Sequence, residues 1–497
     1  MGNSLGPSMS ANSGNYNYYS GYSDYSFISF NGFINENYFN IISQEQYLVQ
    51  NLEISHAITQ NPFNYKKDAF LGLILKSKYD GIGKREPIDL SIALDISGSM
   101  FCTDEKDTKT RLDLAKEALI KLVSIMDENN DRLSLITFNQ KTEKIFGLSN
   151  KTEIQNTLDQ KLQEIQAGGG TNLVDAAIAA MDNLNLNNEN NGKKKRIVFI
   201  TDAYYDDTSE ELFNLIKYNS EEMHIPCTIM AISSESNITL ADKVCHFPGC
   251  NYFTVTKSSE LEDYLVKNYN YIFFPIAYQT KMTVKSENAK IIKCIGDKNN
   301  ILDELDKDKN NDLYKENNMI FDFGTAFSSE MLLYGDKTYS KGGLILLKIN
   351  PDDLLKDEDF KFDISLEYVD DDNKAKTIQN YSYIIKKEEK TNEYFKDNNI
   401  KKGIAIYYFV NALNWLVQSE KEKKENKNIQ NKEKDMKMLE TRQVISEYLK
   451  NNFGNEPDNV ESEKILNNYL NLVEERYKGF KTFVFKFYNL DAAPPIF

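Results

Sequence analysis

Between residues 87 and 270, short and almost wholly apolar runs alternate with amphipathic ones, and this alternation limits the choice of fold more than any other feature. The strand candidates are IDLSIALDI (88–96), RLSLITF (132–138), RIVFIT (196–201), CTIMAIS (227–233) and NYFTVT (251–256). Runs apolar nearly throughout belong to strands covered on both faces; a half-exposed strand alternates instead. Between the first two lies RLDLAKEALIKLVSIMDEN (111–129), where Leu112, Ala115, Leu119, Leu122 and Met126 keep helical spacing. A second helix is predicted over 151–166 from Ile154, Leu158, Leu162 and Ile165, and a third after Thr171 from Leu173, Ala176, Ala177 and Ala180. Strand and helix alternating over this length imply an α/β fold with a parallel, doubly wound sheet and right-handed crossovers.

In such a sheet, ligands bind at the carboxyl ends of the strands, near the point where strand order reverses. Three segments bring oxygen-bearing side chains to that edge. LDISGSM closes the first strand with Asp95, Ser97 and Ser99, GGGTN (168–172) is a glycine turn carrying Thr171, and ITD (200–202) ends a central strand at Asp202. Three hydroxyls and two carboxylates, with no His or Cys, suit one hard divalent cation: Mg²⁺ first, with Ca²⁺ or Mn²⁺ as alternatives, and not zinc. Neutral hydroxyls leave the ion net positive, and Mg²⁺ needs ~6 oxygens, so water completes the shell and leaves an exchangeable position. An Asp or Glu of a protein partner fits that position through a charge-assisted contact. Alone, Asp95 or Ser97 would read as a helix N-cap. Five such residues, in order on three strand–helix edges, read as a site.

DxSxS at 95–99, Thr171 after a glycine turn and TD at 201–202 resemble the metal-ion-dependent adhesion site of von Willebrand factor A domains. RLDLAKEAL, DRLSLITFN, GGGTNL and RIVFITD also fall where that family places them, and the resemblance spans roughly 87–270. It implies a Rossmann-like sheet and a binding role, with Ser97, Ser99 and Thr171 touching the metal and Asp95 and Asp202 acting directly or through water. Two departures stand out. Ala203 occupies a position that is commonly Gly, and FCTDEKDTKT (101–110) lengthens the turn with Asp104, Glu105 and Asp107. Without ordered ligand spacing, that acidic loop reads as solvated rather than as a second ion site.

The flanks differ in kind. Residues 1–45, rich in Tyr, Asn and Ser, are expected to be disordered. Strand-like pieces over 46–86 are separated by the α/β unit from seven more over 271–390, so the α/β domain is predicted to be inserted in a β-sandwich that both sets build. Residues 391–497 return to helical spacing, with helices expected over 400–418, 438–452 and 461–476, Trp415 among the apolar positions of the first, and an apolar tail. These flanks more weakly resemble the calcium-activated chloride-channel-like and inter-alpha-trypsin-inhibitor-like subfamily. The longest apolar stretches, such as YIFFPIAY and GGLILLKI, fall well short of the ~20 residues that span a bilayer, so no channel function follows.

Composition and motifs exclude several other classes. A net charge of −16 argues against a nucleic-acid binder. Five irregularly spaced Cys and no leader-like N-terminus suggest a reduced, cytoplasmic protein. Gly6 stands where a myristoylation motif at Gly2 wants Ser or Thr. CHFPGC (245–250) lacks a second ligand pair for zinc, DGIGKRE (80–86) is not a phosphate loop, and Ser97 and Ser99 lack a nucleophile elbow. The expectation is therefore a non-enzymatic, metal-dependent protein-binding module. The alternative is a structural or assembly subunit whose partners use the sandwich, the helices or the N-terminal tail.

Overall fold

The structure, a computed structural model, describes residues 37–40, 52–60, 69–77, 85–103, 108–185, 192–202, 210–232, 244–255, 261–295, 314–315, 318–335, 337–371, 374–387, 398–424 and 444–454. Strands β1 (Tyr38–Asn40), β2 (Leu52–Gln60) and β3 (Ala69–Ser77) come first. The α/β unit follows. It runs β4 (Ile88–Asp95), α1 (Arg111–Ile125), β5 (Arg132–Phe138), β6 (Thr142–Asn150), α2 (Lys151–Gln155), α3 (Leu158–Glu164), α4 (Leu173–Asn185), β7 (Lys194–Thr201), α5 (Glu210–Glu221), β8 (Cys227–Ile232) and β9 (Asn251–Val255). Its sheet has the order β6-β5-β4-β7-β8-β9, parallel except for β6. The chain winds from β4 to β5 on one side and later to β7 on the other, so strand order reverses between β4 and β7.

Every residue of β4 is buried, because helices cover both sheet faces. Ile88, Leu90, Ile92 and Leu94 pack with Leu112, Ala115, Leu119 and Leu122 of α1, and with apolar residues of 261–274. On the other face Ala93 meets Ala176, Ala177 and Ala180 of α4 and Leu212 and Ile216 of α5. The small residues of α4 let that helix lie close to the sheet.

After this unit come β10 (Pro275–Glu287), β11 (Ile291–Ile295), β12 (Tyr314–Lys315), β13 (Asn318–Phe327), β14 (Met331–Tyr334), β15 (Lys337–Lys341), β16 (Leu344–Ile349), β17 (Phe360–Asp370), β18 (Lys376–Ile385) and α6 (Asn398–Lys424). Sheets ordered β12-β13-β10-β17-β18 and β11-β16-β3-β2 share one core, in which Leu71 and Leu73 of β3 meet Phe321, Phe362 and Leu366. Strands from before the α/β unit thus pair with strands from after it, as an inserted domain requires. The opposite face of β3 and β16 (Phe70, Ile74, Leu344, Leu346) packs under Ile400, Ile404 and Tyr408 of α6. Covered on both faces, β3 can be the continuous apolar run AFLGLIL.

The structure departs from the sequence reading in several places, among them helix α5 and strands β12 and β15, which were not expected. Tyr38–Asn40, within the segment expected to be disordered, pair antiparallel with β15, and Phe39 is buried beneath α6. Strand β6 was not foreseen, because TEKIFGLSN is an antiparallel edge strand that buries no residue fully. The helix expected over 151–166 is broken at Asn156–Thr157, although Ile154, Leu158, Leu162 and Ile165 all still reach the core. Near the C-terminus, 444–453 are helical, within the helix expected over 438–452 to one residue. The helix expected over 461–476, the remainder of 1–45, the acidic residues Asp104, Glu105 and Asp107, Ala203, and the surroundings of Trp415 lie outside the described residues.

The sandwich meets the α/β unit at the amino-terminal end of the parallel strands. Lys194, first residue of β7, binds both carboxylate oxygens of Asp371 at 3.1 and 2.9 Å, and the Gly249 N–H donates to Thr325 Oγ1 at 2.7 Å. Asp95 and Asp202 lie at the other end, roughly 25 Å away at ~3.3 Å per strand residue.

Candidate metal centre

Strand β4 ends at Asp95, which pairs with Phe138 of β5, and the residue before it, Leu94, pairs with Ile200 of β7. Beyond Asp95 the chain is clasped by backbone bonds. The Ile96 N–H donates to Phe138 O at 2.8 Å, the Gly168 N–H to Ile96 O at 2.7 Å and the Gly98 N–H to Gly169 O at 3.0 Å. These bonds seat the glycine loop 168–172 against the DxSxS turn. Gly169 has φ +87°, and a Cβ there would stand 2.1 Å from Gln140 Oε1, which accepts from the Gly170 N–H at 2.6 Å. Only glycine fits that position. Asn172 then caps α4 by accepting from the Asp175 N–H at 3.2 Å.

Four of the five expected side chains are joined by hydrogen bonds. Asp95 Oδ1 accepts from the Ser97 N–H at 2.7 Å and Oδ2 from Thr201 Oγ1 at 2.6 Å. The Ser97 and Ser99 hydroxyls are 3.0 Å apart, and Ser99 Oγ donates to Asp202 Oδ1 at 2.7 Å. Asp95, Ser97 and Asp202 are buried, while Ser99 opens to solvent. Ser97 is the N-cap of the short helical turn Gly98–Phe101, yet its hydroxyl makes no capping bond. The helix-capping role weighed for it is therefore not what its side chain does. Thr171 is exposed on the clasped loop, outside the hydrogen-bonded group of four.

Arg111 is a member of this cluster that the sequence reading did not single out. It is the first residue of α1, and its Nη1 donates to Asp202 Oδ2 at 2.7 Å. The Asp202 side chain is fully buried and the Arg111 side chain 24% exposed. The one signal in the sequence is weak: a cation opening a helix sits against the macrodipole and gains from a nearby anion. Burial pushes the Asp95 carboxyl above its ordinary range; the Thr201 and Ser97 hydrogen bonds offset part of this, and the charge of Asp202 adds to it. Arg111 pairs with Asp202 and not with Asp95, so one guanidinium stands against two carboxylates and the ionised cluster keeps a net negative charge.

This is the electrostatic setting for a cation. Hydroxyl and carboxylate oxygens lie within hydrogen-bond distance of one another, and the carboxylates are under-neutralised. The donor set fits Mg²⁺, Mn²⁺ or Ca²⁺. Among the described residues no group of three or more His, Cys, Asp or Glu side chains could hold a metal, so the oxygen set here depends on its serines. The CHFPGC segment forms a turn, with the Phe247 N–H on Val244 O and the Cys250 N–H on Phe247 O, both at 3.1 Å.

Residues 90–204 match the family model described as von Willebrand factor type A domain, a span that contains all five expected residues and Arg111. The chain carries a von Willebrand factor type A domain. Among solved structures, a von Willebrand factor type A protein from Catenulispora acidiphila aligns at 12% identity, over 76% of this chain and 82% of that one, with TM-score 0.43. The ArnB paralog VWA2 from Sulfolobus acidocaldarius aligns at 15% identity, over 81% of this chain and 98% of that one, with TM-score 0.37. BatB from Bacteroides thetaiotaomicron aligns at 17% identity, over 37% of this chain and 97% of that one, with TM-score 0.30. No curated protein matches. Domains of the von Willebrand A family often mediate protein–protein interaction.

Proposed function

We propose that the von Willebrand A domain is a non-enzymatic module that binds a protein partner through a divalent cation. The observation that carries this reading is the Asp95–Ser97–Ser99–Asp202 cluster at the strand-order reversal, under-neutralised and facing away from the sandwich. Ser97, Ser99 and Thr171 would hold Mg²⁺, Mn²⁺ or Ca²⁺ by their hydroxyls, and Asp95 and Asp202 directly or through water. When bound, the ion supplies an exchangeable positive position for an Asp or Glu carboxylate of the partner. Asp95 anchors the turn through the Ser97 N–H, and Asp202 orients Ser99, so the open hydroxyl is already aimed before any ligand arrives. The five cysteines form no disulfide, which fits a reducing compartment such as the cytoplasm, and no helix among the described residues is long and apolar enough to cross a membrane.

The test uses an array of Asp-bearing peptides and their Asn counterparts, probed with the full chain in Mn²⁺ and again in EDTA. Asp-selective, EDTA-sensitive capture that Ser99→Ala abolishes, with circular dichroism unchanged, is the expected result. Capture indifferent to EDTA or to Ser99→Ala would contradict the reading. A second reading, assembly through the strands that flank the α/β unit, is favoured by β14, an edge strand of the separate three-stranded sheet β1-β15-β14, where Leu333 is 72% exposed. Under that reading Leu333→Asp loses partners while cation binding persists.

A further inference from the structure

We propose that Arg111 is a built-in counter-cation of the metal centre: it lowers the centre's affinity for the divalent ion and reserves positive charge for the partner's carboxylate. The inference rests on the metal-site reading above and concerns a residue which that reading does not need.

Arg111 is held firmly enough to act at this point. Its backbone N–H donates to Cys102 O at 3.0 Å, and Thr103 and Thr110 form an isolated antiparallel bridge, so the base of the loop preceding α1 is closed. Thr110 and Asp113 complete a capping box around the same helix start. The guanidinium therefore springs from a fixed point beside the DxSxS turn, and it ends on a carboxylate that has no solvent exposure. A cation in the first helical turn works against the macrodipole, and here the buried Asp202 charge offsets that cost.

Both oxygens of Asp202 are engaged, one by Ser99 and the other by Arg111. A divalent ion arriving here meets two carboxylates already matched by one positive charge. The attraction it feels is that of one net anion rather than two. Once seated, the ion and Arg111 together leave the centre positive, whereas the same centre without Arg111 would be neutral. An incoming carboxylate is drawn only to the positive version. Arg111 thus trades metal affinity for partner affinity, and the two effects have opposite signs.

Calorimetric titration of the full chain with Mn²⁺ tests this, using wild type, Arg111→Gln, Arg111→Ala and Arg111→Lys. Removing a like charge close to the site should tighten Mn²⁺ binding on the order of tenfold in the Gln and Ala variants. The Lys variant should stay near wild type, since it keeps the charge. At saturating Mn²⁺, the Gln and Ala variants should bind an Asp-bearing peptide, picked on the array, several-fold more weakly. A merely structural role for Arg111 would weaken both kinds of binding together. Wild-type Mn²⁺ binding that is unchanged or weakened in both neutral variants would overturn the proposal alone, as would peptide binding that does not fall. Absence of Mn²⁺ binding in every protein would overturn the metal-site reading, and this proposal with it.

Discussion

Asp95 takes a hydrogen bond on each of its buried oxygens, from the Ser97 N–H and from the Thr201 hydroxyl. An oxygen deprived of its donor in that setting carries a full desolvation penalty. Thr201→Val keeps the shape of the side chain and removes the donor, so it should lower stability by about 1–3 kcal/mol in denaturant unfolding. An unchanged midpoint would mean that Thr201 does not hold Asp95. At this scale most of the site was legible from the sequence, because DxSxS, GGGTN and TD each stand where a strand or glycine turn ends. Arg111 was passed over because it also fits the start of an amphipathic helix, where only its conflict with the dipole sets it apart. The clasp by Gln140 was not legible, since nothing local to that residue indicates that Gly170 folds back onto it.

The parallel strands were readable because burial on both faces makes them apolar throughout. Strand β6 was not readable, because an edge strand with one half-covered face carries a weak pattern. Where α6 lies across β3, contact is close enough that glycine is needed. A Cβ on Gly72 would stand 2.1 Å from Ile400 Cδ1 and 2.8 Å from both its Cγ1 and Cγ2, so no single rotamer change clears it. A Cβ on Gly403 would stand under 3 Å from one atom, Leu344 Cδ2 at 2.1 Å, with Leu344 Cγ at 3.4 Å and Leu346 Cδ1 at 3.7 Å, and the end of one side chain gives way more easily. Gly72→Ala should therefore destabilise the α6–sandwich packing by about 1–3 kcal/mol and exceed the cost of Gly403→Ala. Thermal unfolding of the two variants checks the order, and a costlier Gly403→Ala would contradict this account of the packing.

At the scale of the whole molecule, an ion pair on a buried carboxylate joins the inserted domain to the sandwich. Asp371 is buried between Lys194 of β7 and Lys374. Burial is the largest single influence on its carboxyl and pushes upward, but the bonds and charges of Lys374 and Lys194 outweigh it and hold the group below its ordinary range. A depressed carboxyl contributes stability above its unfolded value of 3.8, and that contribution is lost as pH falls through the lower folded value. Asp371→Asn should thus cost about 1–3 kcal/mol at pH 7, and the gap from wild type should close below about pH 4. A gap independent of pH would assign the loss to packing instead. Because this clamp grips the amino-terminal end of β7, the variant should leave cation binding at the opposite end unchanged. The sequence foretold the insertion from its orphaned early strands, but the clamp joins residues 177 positions apart and has no local signature.

The central claim is that the carboxyl end of β4 and β7 holds one divalent cation. Titrating Mn²⁺ into the wild-type chain and into Ser99→Ala by calorimetry tests it most directly. The account predicts a single site in the wild type that is lost in the variant, with both proteins folded. No heat of binding in the wild type, or an equal site in Ser99→Ala, would contradict it.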